Sequence, residues 1–516
     1  MNATLGIDIG TYESKGVLVD GDGHVLASAA RPHELIVPRA GWAEHRAEQD
    51  WWGDFVWLSQ KLLADSGLHA PEVKAVGASA IGPCMLPVDA DGAPLMNAVL
   101  YGVDTRAAHE VEELTARIGA DRILSHGGNA LTSQAVGPKI LWLKRNRPDI
   151  YAKARKFLNA TSFLVHHLTG RLVTDAYSAS TVAPLYEIES GSWSDALAPD
   201  ITDLKRLPEI AWTTEIAGTV TETAAEQTGL AAGTPVIVGT IDAAAEAISV
   251  GVLDPGELML MYGSTIFTIR IGSERIQDPR LWHAPWLFPD QYASMAGLAT
   301  SGTLTHWFAD QLARDLSPEA AMAALAAEAQ ASPPGANGLV FLPYFSGERT
   351  PLHDPNAKGA IVGLTLAHTR ADLYRAALEG VAFATKHIFD TYAEAGAPPA
   401  TIVAVGGGLR NRTWTQATSD VCGLAQEAPE ISIGASYGDA FLARLALGDV
   451  SRSAIKQWNS AAFRIEPDQR HARLYARRYS IFRELYPRLR NIMGELGADD
   501  ETSGVIGSEA KQPGGT

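Results

Sequence analysis

Cysteine is scarce. Two residues in 516, Cys84 and Cys422, exclude a disulfide framework and point to a reducing interior. No run of about 18 apolar residues occurs; the nearest approach, Thr234 to Leu253, is interrupted by Asp242 and Glu246. The start of the chain lacks a charged segment followed by an apolar core, so no signal peptide is expected. Basic residues are outnumbered, 42 against 59 acidic, and the formal net charge of -17 argues against nucleic acid or an anionic membrane as main partner. Neither a Walker loop nor a dinucleotide-binding glycine fingerprint is present. These absences leave a soluble cytoplasmic protein as the expectation. Its 46% hydrophobic content can fill two large cores, and 516 residues exceed what one core usually organises.

The segment Leu5 to Asp20 organises the rest. Leu5, Ile7 and Ile9 alternate with small or polar residues, as do Val17 and Val19 after a polar break, which predicts two strands joined by a tight turn. The turn holds what an anion needs: Gly10 for close backbone approach, the hydroxyls of Thr11 and Ser14, and the charge of Lys15. Asp8 ends the first strand, where a carboxylate can hold a phosphate-bound magnesium ion; an ordinary hairpin with a solvated lysine is the plain alternative.

A third strand is expected from His24, a helix over Asp50 to Ala64, and a buried strand from Val73 to Ser79 that leads into the loop Ile81-Gly82-Pro83-Cys84. Helical spacing dominates residues 105–181, read as an insertion; Asp104 and Arg106 at its entrance suit either a polar ligand or a helix cap. Pro235 to Thr240 reads as a buried strand, with Asp242 opening a helix, where an α/β fold places either a cap or a functional carboxylate. Glu257 to Tyr262 and Ile266 to Ile271 then repeat the first hairpin's style around Gly263, Ser264 and Thr265. Two such hairpins predict a duplicated domain clamping a phosphate. Gly406-Gly407-Gly408 follows a strand and precedes a helix, another place for close ligand approach. A helix is expected over Pro467 to Leu489, and beyond Gly497 there is almost nothing to bury.

With these blocks in order, the chain resembles the FGGY family of carbohydrate kinases, most closely its xylulose-kinase-like branch. Gly6 to Thr11, Gly41-Trp42-Ala43-Glu44, Leu168-Thr169-Gly170 with Thr174-Asp175, Gly347 to Pro351 with Asp354-Pro355, Leu378 to Phe383 and Gly406 to Gly408 carry the resemblance. It implies an α/β fold of two actin-like ATPase (ribonuclease-H-like) domains with ATP and sugar in a deep cleft between them. The implied division is 1–245, 246–450, a helical extension 451–495 and a disordered tail 496–516. The implied cofactors are ATP and Mg2+, the partners a small sugar and ATP, with no nucleic acid or membrane, and a homodimer is the assembly entertained.

Carried over residue by residue, Asp8 is implied as the metal carboxylate. Gly10, Thr11 and Lys15 form one phosphate loop and Gly263, Ser264 and Thr265 the other. Gly302 contacts nucleotide, with Gly407, Gly408, Asn411 and Arg412 around the adenosine. Asp242 is the implied base, and Ile81, Gly82, Pro83, Cys84, Asp104 and Asp242 meet the sugar. The implied reaction is phosphorylation of a ketopentose such as D-xylulose at a terminal hydroxyl. Kinases for other ketoses or polyols, and a non-catalytic ATP- and sugar-binding regulator, are the alternatives. Where that branch carries Met-His in the first loop this chain has Gly82-Pro83-Cys84, and where it carries Asn after the base this chain has Ala243.

Overall fold

A computed structural model of the chain describes residues 2–503. Its described residues divide into two compact units: those up to Met259 with Ile269–Met295 and Pro429–Ala462, and Leu260–Thr268 with Ala296–Ala428 and the described residues from Phe463. The first unit therefore takes back residues 429–462, which the sequence reading placed in the second domain or its extension.

The first unit is built on a seven-stranded sheet. Its strands are β1 (Ala3–Ile9), β2 (Glu13–Val19), β3 (Val25–Pro32), β4 (Val73–Ala80), β5 (Ile216–Thr219), β6 (Pro235–Ile237) and β7 (Thr240–Ile241). The order is β5-β6-β4-β1-β2-β3, with β7 also on β4. The opening hairpin is antiparallel, Asp8 opposite Lys15, whereas β4 runs parallel to β1 and to both β6 and β7. The one strand expected over 235–240 is thus two short ones, interrupted at Val238-Gly239.

Helix α1 (Gly53–Ser66) covers one face of this sheet through Phe55, Leu58 and Leu62, which pack with Leu5, Ile7 and Val76. Helix α2 (Asp242–Ser249) starts where β7 ends. Over 105–181 helices do dominate, and those up to Lys153 have a separate core of Leu114, Ile123, Ile140, Leu143 and Ile150. Lys156–Leu158 and Val173–Asp175 are short strands, however, and Phe163, Leu164 and Leu168 pack into the core of the first sheet instead.

The second seven-stranded sheet contains β8 (Glu257–Tyr262), β9 (Ile266–Gly272), β10 (Trp282–Pro285), β11 (Tyr292–Leu298), β12 (Thr401–Val405), β13 (Gln426–Pro429) and β14 (Ala461–Ile465), ordered β10-β11-β9-β8-β12-β13-β14. The repeated hairpin is present as expected. Residues 461–465 correct the expectation of an all-helical extension: Ile465 is buried, and the segment closes the sheet edge instead. Helices α3 (Gly302–Leu312), α4 (Arg370–Glu394) and α5 (Arg412–Cys422) pack together, α4 touching both of the others.

Helix α6 (Ala435–Ala446) belongs to the first unit and lies against β1, β4 and α2. Small residues permit this: a Cβ on Gly77 of β4 would sit 2.2 Å from the Asp439 carbonyl oxygen. The last helix, α7 (Ala472–Ser503), runs into the segment expected to be a disordered tail, and residues 504–516 of that expectation lie outside the described residues. Among the described residues no helix is long and apolar enough to cross a membrane.

Candidate active site

Three strand ends meet at one edge of the first sheet. Asp8 pairs with Ser79 and Ile9 with Ala80, while Ile241 pairs with Ala80 from the other side. The next residues of each strand, Gly10, Ile81 and Asp242, are therefore neighbours at the carboxyl ends, where α/β sheets hold their ligands. The Ile81 amide donates to the Ile9 carbonyl (2.7 Å), and a Cβ on Gly82 would lie 2.7 Å from the Ile241 side chain. The structure thus brings together Asp8, the Gly10-Thr11 turn, the loop 81–84 and Asp242.

The electrostatics of this edge are unusual. The Asp242 carboxylate accepts from its neighbour, the Ala243 amide (2.7 Å), so it is no cap for the later amides of α2. Burial pushes its carboxyl up to about 7, opposed by that amide and reinforced by the charge of Glu246. Burial also raises Asp8 well above the usual range, with Asp242 and Glu246 adding to the shift and Lys15 and Ser79 opposing it. Glu246 is raised by burial, with Lys15 opposing.

Behind them Asp439 on α6 is fully buried; Ser79 Oγ donates to its Oδ2 at 2.6 Å and reaches Asp8 Oδ1 at 3.3 Å. Its other oxygen has no hydrogen-bond partner among the described residues, and burial holds its carboxyl far above the ordinary value. Four carboxyl groups thus stand near one lysine. That excess of negative charge favours a cation nearby, although among the described residues the one group whose ligand atoms already lie close enough to share an ion is Asp20, Asp22 and His24, at the turn between β2 and β3. The sequence reading missed Ser79, Glu246 and Asp439. For Glu246 the signal was there, since it stands four residues after Asp242 on the same helix face.

The loop 81–84 offers less than expected. Ile81 and Cys84 are 2% exposed, and the Cys84 thiol donates to the Ile81 carbonyl (3.2 Å). Only Gly82 and Pro83 keep open surface. Tyr101, not foreseen, places its hydroxyl 3.4 Å from Thr11 Oγ1.

Asp104 needs a correction. It has no exposed surface, and both carboxylate oxygens are committed: one accepts from the Ala43 amide (2.7 Å), and Arg106 donates to both. Arg106, also buried, reaches Glu44 (2.8 Å) and lies 3.8 Å from the Trp42 ring centre. Asp104 therefore anchors Ala43 and Arg106 and leaves no exposed oxygen. Asp104→Leu is expected to cost about 3–5 kcal/mol of stability by stranding a buried guanidinium. Enzyme that still folds should keep its sugar KM within about twofold; a selective rise in that KM, with unchanged thermal stability, would restore the sugar-contact reading.

In the second unit the Gly263-Ser264-Thr265 turn is laced to the start of α3. The Gly302 amide donates to Gly263 O (3.0 Å), and the Ser301 and Thr303 amides both donate to Ser264 O (3.1 Å). A Cβ on residue 302 would lie 2.4 Å from Gly263 O, so only glycine fits there. Gly408 rests on Tyr262 and the Trp414 ring, bringing the triple glycine to the same hairpin end, and Gly407 faces open space. Asn411 caps α5 by accepting from the Trp414 amide (3.2 Å) and donates to the Tyr374 hydroxyl (3.4 Å), while the Arg412 guanidinium stacks 3.9 Å from the Phe463 ring centre. The glycine and hydroxyl residues foreseen here are gathered; the polar end of Asn411 is engaged within the protein, whereas Arg412 is exposed and lies over the Phe463 ring.

Residues 3–249 match the N-terminal domain of the FGGY family of carbohydrate kinases, and residues 258–447 its C-terminal domain. The xylulose kinase of Escherichia coli (strain K12) is 30% identical over 500 residues, which cover 95% of this chain and 99% of that protein. The glycerol kinase of Nitratidesulfovibrio vulgaris (strain DP4) is also 30% identical, over 463 residues and 87% and 90% of the two chains. Among solved structures, the xylulose kinase from Rhodospirillum rubrum superposes with a TM-score of 0.90 at 31% identity, covering 96% of this chain and all of that one. The two α/β domains expected from the sequence are the domains of these proteins. With both domain types matched in order over most of its length, the chain belongs to the FGGY family of carbohydrate kinases.

Proposed function

We propose that the chain transfers the terminal phosphate of ATP to a terminal hydroxyl of a small ketose, with D-xylulose as the first substrate to test. The observation that carries this reading is the position of Asp242, beside the loop 81–84 and held near neutrality by burial. A base poised near the working pH takes a proton most effectively. In this reading Asp242 accepts the hydroxyl proton as the sugar oxygen attacks. Asp8, with Glu246 beside it and Asp439 behind, holds magnesium, which when bound neutralises charge on the phosphates. Gly10, Thr11 and Lys15 are read as one phosphate loop and Gly263, Ser264, Thr265 and Gly302 as another, with Gly407 and Gly408 meeting the adenosine. The relatives named as xylulose kinases support the choice of sugar.

A second reading, broader acceptance of ketoses and polyols, is favoured by what borders the base. Gly82, Pro83 and Ala243 bring no hydrogen-bonding side chain, and a sugar hydroxyl left unpaired costs about 1–3 kcal/mol, or roughly tenfold to a hundredfold in discrimination. ADP release measured on D-xylulose, D-ribulose, L-ribulose, erythritol and glycerol separates the two. D-xylulose turned over with the others within about a hundredfold supports both statements. A preference for D-xylulose above about a thousandfold removes the broader reading, and no sugar-dependent ADP release removes the kinase reading itself.

A further inference from the structure

The block Gly41-Trp42-Ala43-Glu44 stood out in the sequence, and the residue that follows it, His45, has so far had no part in the reaction. His45 is fully buried, and its Nε2 lies 3.1 Å from the Thr11 carbonyl oxygen. Its Nδ1 accepts from the Trp51 indole N–H (3.1 Å), so the ring proton sits on Nε2 and is donated to Thr11. Burial pushes its pKa down to about 4, in keeping with a neutral ring.

His33, which follows β3, does the same one residue earlier. Its Nε2 donates to the Gly10 carbonyl (3.0 Å), while its Nδ1 is held 2.8 Å from Asp54 Oδ2 on α1, a carboxylate that also accepts from Ser14 Oγ (2.7 Å). The His33 backbone amide donates to Tyr12 O (2.8 Å), and the two imidazoles meet edge to face at 4.9 Å. Both carbonyls of the Gly10-Thr11 turn are therefore drawn inward by imidazoles that are themselves braced.

The consequence follows from peptide geometry. Across a planar trans peptide the C=O and N–H point in opposite directions. With Gly10 and Thr11 carbonyls turned in, the amides of Thr11 and Tyr12 turn out together, and among the described residues no protein group accepts from either. Two adjacent outward amides make an anion-binding concavity. We propose that His33 and His45 are positioning residues for phosphoryl transfer, fixing the Thr11 and Tyr12 amides as a nest for the transferred phosphate. This rests on the reading of the Gly10-Thr11 turn as a phosphate loop.

The test compares His45→Leu, which removes the donor, with His45→Gln, whose amide can donate from nearly the same place, and with Gly10→Ala. A Cβ on Gly10 would lie 2.7 Å from Glu13 O and displace the turn without touching either histidine. Turnover is measured alongside calorimetric affinities for ADP, for a non-hydrolysable ATP analogue and for sugar. Losing an aligned donor to a developing anion typically costs about 10²-fold in turnover. His45→Leu should lose about that much and bind the ATP analogue about tenfold more weakly, with ADP and sugar affinities unchanged within twofold. His45→Gln should recover most of the loss.

The inference is overturned if Gln is as damaging as Leu, or if ADP and sugar affinities fall together with thermal stability. If Gly10→Ala lowers turnover and His45→Leu does not, the histidine role alone is wrong. If neither lowers it, the phosphate-loop reading fails as well.

Discussion

Asp242→Asn is expected to lower sugar phosphorylation by about 10²- to 10⁴-fold, the span of a lost general base, and to leave the folded enzyme at least as stable as the wild type. The first half follows from position: Asp242 follows β7 directly, beside the 81–84 loop. The second half follows from linkage. Its folded pKa is raised to about 7 by burial and by Glu246, whereas an unfolded Asp titrates near about 3.9. The folded chain therefore holds the proton between about pH 4 and 7, where the unfolded chain has released it. The stability contributed is fully present below about pH 4 and is lost as pH rises through 7. Above pH 7 the wild type carries a poorly solvated charge, which the amide removes. Melting temperatures should favour the Asp242→Asn variant most at pH 8, less as pH falls through 7, and converge with the wild type only below about pH 4. Near wild-type turnover in that variant would reduce Asp242 to a helix-start residue.

Asp8→Asn should act on the metal and leave the sugar alone. Asp8 shares Ser79 with the buried Asp439 and lies in the field of Asp242 and Glu246. Its removal should cut magnesium-supported turnover by about 10²-fold or more, the scale on which a lost charge-stabilising group acts in phosphoryl transfer. It should also relieve repulsion among the remaining carboxylates. Two further readouts do not depend on turnover. Magnesium should raise the melting temperature of the wild type without nucleotide and do so much less for Asp8→Asn. Sugar affinity without nucleotide, measured by calorimetry, should be unchanged. A large fall in sugar affinity would move Asp8 into the sugar site.

The two hairpins were legible because period-2 alternation and a glycine-hydroxyl turn are local signals, and both strands of each formed close to the expected ranges. Asp242 was legible for the same reason, a carboxylate between a buried strand and a helix. Asp439 was not: it meets Ser79 across 360 residues of sequence, and only the parallel register of β1 and β4 with the close approach of α6 unites them. Asp104 misled because an Asp two residues before an Arg looks exposed in sequence. Trp42, Ala43 and Glu44, about sixty residues earlier, bury that pair. His33 and His45 carry no motif of their own; their aim at two consecutive carbonyls exists only once β3, the Glu44–His45 strand and α1 are assembled. Residues 429–462 show the same effect, since they pack with strands laid down more than 300 residues earlier.

The pH dependence of kcat/KM for the sugar, at saturating magnesium and ATP, tests the central claim most directly. With Asp242 as the base, the wild type should lose activity on the acid side through one ionisation near pH 7, tenfold per unit below it. The residual activity of Asp242→Asn should lack that limb. An acid limb near pH 4, or the same limb near 7 in both proteins, would contradict the assignment of Asp242 as the group that takes the proton.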